Sequence, residues 1–164
     1  MAKEKKPAQM DQQAMMEMWK KLGTPGAPHK LFASLAGSWI TQTKEWMEKM
    51  LLDGRFLYQE YNGQMMGQPF SGIGIDAYDN MTKKYVTAWM DSMGTGIFMM
   101  EGTANADGKT ITLRGQHAEL GGGKMTHRAV WKIVDNNNQT FDMYGAHDGG
   151  KEMKMMEITY TRKP

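Results

Sequence analysis

The spacing of apolar residues changes once along this chain, at Leu35-Ala36-Gly37-Ser38-Trp39. Before that point it is helical. From Asp11, which can cap a helix, Ala14, Met15, Met18, Trp19 and Leu22 recur three and four residues apart, and Gly23 and Pro25 end the run. This is a short amphipathic helix that needs a surface to lie on, because isolated helices of its length are marginal. Pro28 opens a second short helix carrying Leu31, Phe32 and Leu35, closed by Gly37. His29 falls in its first turn, where the helix dipole disfavours an imidazolium, so a partly buried, hydrogen-bonded histidine is expected rather than a catalytic one.

From Ser38 onward the period becomes two. The expected strands are 38–47, 49–61, 70–78, 84–92, 96–104, 110–118, 124–134, 139–146 and 151–162, each rich in aromatic and β-branched residues. Turn residues separate them: Asn62-Gly63, Asp79-Asn80, Gly94-Thr95-Gly96, Asp107-Gly108, Gly121-Gly122-Gly123, Asn136-Asn137-Asn138 and Asp148-Gly149-Gly150. Short strands with hairpin-length links and no helical interruption predict an all-β fold, an antiparallel meander barrel of about nine or ten strands with short N-terminal helices. The expected organisation is a disordered tail over 1–10, helices capping the barrel over 11–36, and the barrel over 37–164.

Two hairpins make the register testable. Centred on Gly122, Ile111 faces Ile133, Leu113 faces Trp131, Gly115 faces Ala129 and His117 faces His127, with Thr112, Arg114, Gln116, Arg128 and Lys132 on the polar side. Centred on Gly94, Val86 faces Gly102, Ala88 faces Met100 and Met90 faces Phe98, which leaves Trp89 and Met99 on the outer face, under a helix or a partner subunit.

Composition narrows the function. With 20 Lys+Arg against 18 Asp+Glu the charges nearly balance, and beyond Lys3-Glu4-Lys5-Lys6 there is no basic stripe for nucleic acid. The absence of cysteine excludes disulfides and thiolate metal sites. No apolar run approaches the roughly 18 residues of a membrane span, and the N-terminus lacks the apolar core of a signal peptide, so a cytoplasmic protein is expected. Met is abundant, 19 of 164 residues. Core and interface filling explains this better than Cu(I) ligation, since adjacent pairs such as Met65-Met66 and Met155-Met156 point to opposite faces of a strand.

Hydrolytic signatures are missing: Ser34, Ser38, Ser71 and Ser92 sit in no Gly-x-Ser-x-Gly elbow, and no HExxH or phosphate loop occurs. Gly72-Ile73-Gly74 lacks the context of a nucleotide fingerprint and reads as a barrel bend. Asp76, Asp91, Glu101 and Glu157 fall within strands, where a pair could do acid–base work. The sharpest constellation is His117 and His127, with Cβ atoms about 5 Å apart in the Gly122-centred register and Glu119 and Met125 as the next inward pair. His117, His127 and Glu119 could ligate a divalent metal, and one imidazole could ligate haem iron. The competing reading is two rim histidines bonded to neighbours or water. The sequence requires no cofactor.

Taken in order, several runs carry a resemblance: Leu35-Ala36-Gly37-Ser38-Trp39, Leu52-Asp53-Gly54-Arg55-Phe56-Leu57, Gly67-Gln68-Pro69-Phe70 with Gly72-Ile73-Gly74, Tyr78-Asp79-Asn80, Thr95-Gly96, Glu101-Gly102-Thr103, and Met155 to Lys163. From about Pro25 to its end the chain resembles the bacterial DUF1579 family, a domain of unknown function with a lipocalin-like, calycin-type β-barrel. The resemblance implies a barrel and no activity. In lipocalin-like folds an Arg or Lys packs across the Trp of the first strand; Arg162 ends the final strand, which must lie beside the first if the barrel closes, so Gly37, Trp39 and Arg162 are expected to be structural. Two features depart from the family pattern. Trp46-Met47-Glu48 runs directly into Lys49-Met50-Leu51-Leu52 where the family carries a longer segment, which leaves the pairing of the first two strands open. The His117/His127 pair is the other.

The expected function is non-enzymatic: a barrel that takes a small apolar or amphipathic ligand, lined by Met90, Phe98, Met100, Leu113, His117, His127 and Trp131. The alternatives are a structural or assembly protein with a filled interior and a homo-oligomer interface, and a haem- or metal-binding barrel using His117 and His127. Neither nucleic acid nor a membrane is expected as a partner.

Overall fold

A computed structural model of the chain describes residues 12–41, 45–119 and 122–164. The expected tail over 1–10, the Asp11 cap and Gly121 of the glycine-rich turn lie outside them. Helices α1 (Gln12–Leu22) and α2 (Ala27–Leu35) precede ten strands: β1 (Gly37–Ile40), β2 (Glu45–Leu51), β3 (Phe56–Met65), β4 (Gln68–Asp79), β5 (Lys84–Asp91), β6 (Phe98–Ala104), β7 (Thr110–Ala118), β8 (Lys124–Ile133), β9 (Asn138–His147) and β10 (Met153–Arg162). Each strand pairs antiparallel with its sequence neighbours, and β10 closes on β1 through Trp39 opposite Arg162, giving a closed barrel. Closure leaves no free sheet edge.

The stretch expected as one strand over 38–47 is two. Trp39 and Trp46 are seven residues apart, so in a single strand they would point to opposite faces. The reversal between β1 and β2 sets them opposite each other, and both are buried. β2 then continues unbroken through Glu48 and Lys49 and pairs with β3 from Trp46 opposite Tyr61 to Leu51 opposite Phe56.

Both hairpin registers also need correction. Between β7 and β8 the pairing moves by two residues: Ile111 faces Trp131, Leu113 faces Ala129, Gly115 faces His127 and His117 faces Met125. A shift of two preserves the inward face. Between β5 and β6 it moves by one, so Thr87 faces Met100 and Trp89 faces Phe98. That reverses β5, turning Trp89 inward and Met90 outward. The cause lies on β4, where Gly74 stands opposite Trp89 and a Cβ on Gly72 would overlap the indole ring. Gly72-Ile73-Gly74, expected to mark a bend, is the socket for Trp89.

One end of the barrel is plugged. The Gly26 N–H donates to Nδ1 of the buried His29 at 3.0 Å, which fixes the start of α2. Phe32 and Leu35 are then fully buried, with Phe32 edge-on to Tyr85 and stacked on Trp131. Trp39 is fully buried beneath them and donates Nε1–H to the Leu35 carbonyl at 2.9 Å. The Arg162 guanidinium lies 4.3 Å over the Trp39 ring and donates to the carbonyls of Ser34, Ala36 and Asn136. Gly37 has φ +143°, and a Cβ there would lie 2.6 Å from Arg162 Nη1, so only glycine fits. α1, expected to need a surface, buries none of its residues. Hydrogen bonds hold its C-terminal end instead: Asn80 donates to the carbonyls of Leu22 and Thr24, and Arg55 to that of Gly23.

Candidate functional site at the open end of the barrel

The end opposite α2 is framed by the β3–β4, β5–β6, β7–β8 and β9–β10 links. There His127 is buried, with glycines facing it on both flanking strands, Gly115 on β7 and Gly145 on β9. His117, more exposed at the mouth, meets it through Nδ1, 3.1 Å from His127 Nε2. The ring centroids are 5.0 Å apart with planes 19° from parallel, a stacked pair. Phe98 stands edge-on to both imidazoles. Burial, and then the neighbouring His117, lower the pKa of His127, with Glu119 opposing. Its Nδ1 is buried and has no hydrogen-bond partner.

The expected His117/His127/Glu119 set is not assembled. Glu119 instead meets His147 Nδ1 at 2.8 Å, and among the described residues no three His, Asp or Glu side chains are grouped to hold a metal ion. The shift of register explains this: Met125, not His127, faces His117, and Glu119 lies beyond the last residue of β7.

Inside the mouth Trp46 is the hub of a ring cluster. It stacks on Trp89 at 5.6 Å, tilts against Tyr61 at 5.4 Å and meets Tyr160 edge-on at 5.2 Å, while Tyr61 continues to Phe70. Trp89 Nε1 donates to Asp91 Oδ2 at 2.9 Å. Trp46 Nε1 is buried with no acceptor. An orphaned buried donor is unusual in a native interior and calls for a cause.

Deeper still lies a polar layer. Trp131 Nε1 donates to Gln139 Oε1 at 2.6 Å, and Gln139 Nε2 lies 3.3 Å from Glu48 Oε1. Across β3, Gln59 donates to Asp76. Burial, reinforced by the charge of Asp76, pushes the Glu48 pKa up to about 8. Burial raises Asp76 to about 6 against the hydrogen bonds from Thr87 and Gln59. Near neutral pH, Glu48 therefore keeps its proton and Asp76 loses most of its own, so the pair can hold one proton in the barrel core. Burial, with Glu48 and Asp76 behind it, raises the Tyr160 pKa well above its usual value.

Of the expected lining, Phe98 and Met100 lie at the inner side of the mouth with His127, and His117 stands at its rim. Leu113 and Trp131 are deeper, Trp131 against the α2 plug. Met90 is displaced to the outer wall, where with Ile73 and Glu60 it lines a shallow recess of about 350 Å³. Trp46, Tyr61, Trp89 and Glu48 were not foreseen. The signal for Trp89 was the pair of glycines two apart on the facing strand. For Trp46 and Glu48 it was the alternation Trp46-Glu48-Met50, hidden by the expected break between strands at Glu48.

The family model described as a protein of unknown function, DUF1579, matches residues 24–162. No curated protein matches the chain.

Proposed function

We propose, for a chain that belongs to the DUF1579 family of proteins of unknown function, a non-enzymatic role as a β-barrel that takes a small amphipathic ligand at its open end. The observation that carries this reading is the Trp46 indole N–H, buried without an acceptor inside a cluster of rings. A ligand oxygen would relieve that donor, whose desolvation otherwise costs about 1–3 kcal/mol. The apolar part would lie against Phe98, Met100, Phe70 and Trp89, which belong to or pack against the hydrophobic core and would have to give way. His117 and His127 would face its outer end. A few polar groups at fixed positions in an apolar recess are the usual makeup of such sites.

Native mass spectrometry of the full chain purified from its own source, paired with titrations of decanoic acid and decanol followed by tryptophan emission, tests this. The expected result is a retained small molecule or a saturable emission change that Trp46→Phe weakens for the oxygen-bearing probes. No retained mass and no saturable change with either probe would refute it.

A second reading, assembly, is favoured by the exposed apolar surface of α1 (Met15, Met16, Met18 and Trp19) and of the outer wall (Ile73 and Met99). Light scattering that returns a monomer at all concentrations would remove it. No described helix is long and apolar enough to cross a membrane.

A further inference from the structure

Methionine sulfurs gather beside the two histidines. Gly145 faces His127 directly, and a Cβ on Gly145 would overlap Met155 Sδ and come within 3.2 Å of Met125 Sδ. The two thioethers thus converge on one point of the inner wall at the mouth. They come from different strands. Met125 stands on β8 opposite His117. Met155 is the extra residue of a β-bulge in β10, where the pairing with β9 slips between Lys154 and Met156. Bulges re-aim side chains that a regular strand would turn away, and this one brings the sulfur of the half-exposed Met155 over Gly145. On the other flank, the Met100 side chain covers Gly115, which also faces His127.

We propose that this end of the barrel is a site for one soft monovalent metal ion, Cu(I) or its analogue Ag(I), held by His117, His127, Met125 and Met155. Imidazole nitrogen and thioether sulfur are the ligands that select Cu(I) where no cysteine is present. Four neutral donors match a single positive charge better than a double one. His117 Nδ1 and His127 Nε2 are 3.1 Å apart, close to the roughly 3.3 Å edge that bonds of about 2.0–2.1 Å give in a tetrahedral site. The ion would take the place of the proton between the rings, so each imidazole gives up that hydrogen bond for a metal bond. The second observation is independent of the sulfurs: His127 is more than nine-tenths buried and its Nε2 is aimed at the His117 ring, while its orphaned Nδ1 lies on the other side of the ring and takes no part in the site. A histidine whose one nitrogen is orphaned and whose other is satisfied only by a second imidazole is poorly explained as core packing. This inference goes beyond the amphipathic-ligand reading and does not rest on it.

The test uses the full chain labelled with 13C at the methionine methyls, titrated with Ag(I) in chloride-free buffer, and an anaerobic Cu(I) competition against bicinchoninate. One equivalent of Ag(I) should shift the Met125 and Met155 methyls and leave Met65 and Met66, on the β3–β4 hairpin of the same rim, in place. Losing even an outer-shell partner costs metal sites about 10- to 100-fold in affinity, so Met125→Leu/Met155→Leu should weaken Cu(I) at least tenfold. His117→Gln, at the exposed rim, should do the same without altering the melting temperature, and Met65→Leu/Met66→Leu should change nothing. Shifts spread over many methyls without saturation at one equivalent would overturn the proposal, as would a double variant that holds Cu(I) as tightly as the wild type. Zn(II) displacing Cu(I) at equal concentration would also overturn it.

Discussion

Glu48→Gln should make the protein more resistant to alkaline pH, by an amount set by where this carboxyl sits. In the folded chain its pKa is about 8, against 4.5 for an exposed glutamate, because it is buried near Asp76. Between those values the folded state holds a proton that the unfolded state has released. The associated stability is therefore complete below about pH 4.5 and falls as pH rises through 8, by about 1.4 kcal/mol per pH unit. Glu48 alone should remove about 3 kcal/mol between pH 4.5 and pH 7. Asp76, raised from 3.8 to about 6, acts in the same direction and steepens the acidic half of the curve. A glutamine at 48 keeps an acceptor for Gln139 and cannot ionise. Any N–H of that amide left without a partner adds a pH-independent cost of about 1–3 kcal/mol, so the informative quantity is the slope. Urea unfolding of wild type and variant at half-unit steps from pH 4.5 to 8.5 should show their difference changing by about 4 kcal/mol in favour of the variant. A difference that stays flat with pH would mean that Glu48 ionises freely in the folded barrel, and the buried polar layer would then be misread.

Two further outcomes concern the walls. Trp39→Ala should cost about 3–5 kcal/mol in urea unfolding as a large-to-small core change, since the ring is fully buried and carries the Arg162 contact; a variant melting like the wild type would show that Trp39 does not support the plug. Gly72→Ala should cost about 1–3 kcal/mol through overpacking, because its Cβ would overlap Trp89, and Trp89→Leu should recover part of that loss; strictly additive effects in the double variant would refute the socket.

The barrel itself was legible because strand periodicity and turn chemistry are local. Asn, Asp and Gly links set hairpin lengths, and the change of period at Gly37 separates helix from sheet. Register was less so, since it depends on which large side chain finds room across the strand. The Gly94-centred pairing considered β5 and β6 alone, but β4 decides the face, because Gly72 and Gly74 leave space for an indole and none is needed for Met90. The His117/His127 proximity survived a two-residue shift because inward faces repeat every two residues. Glu48 escaped notice because a carboxylate reads as a surface residue until the alternation of its own strand is fixed. The gathering of Met125 and Met155 could not be read at all: it needs a bulge, which no residue type announces.

The two ends of the barrel differ in how fully their polar groups are answered. At the plugged end, Trp39 Nε1, His29 Nδ1 and the Arg162 guanidinium all have partners drawn from the α2 segment or the β8–β9 turn. The two orphaned buried nitrogens of the described residues, on Trp46 and His127, both lie toward the open end. A buried polar atom without a partner carries a comparable cost wherever it sits. Proteins tolerate such costs where a ligand or ion meets them. The sulfurs of Met125 and Met155, the exposed imidazole of His117 and the glycines at 115 and 145 that flank His127 converge on that same end. The fold is therefore secured by one end and left chemically unfinished at the other.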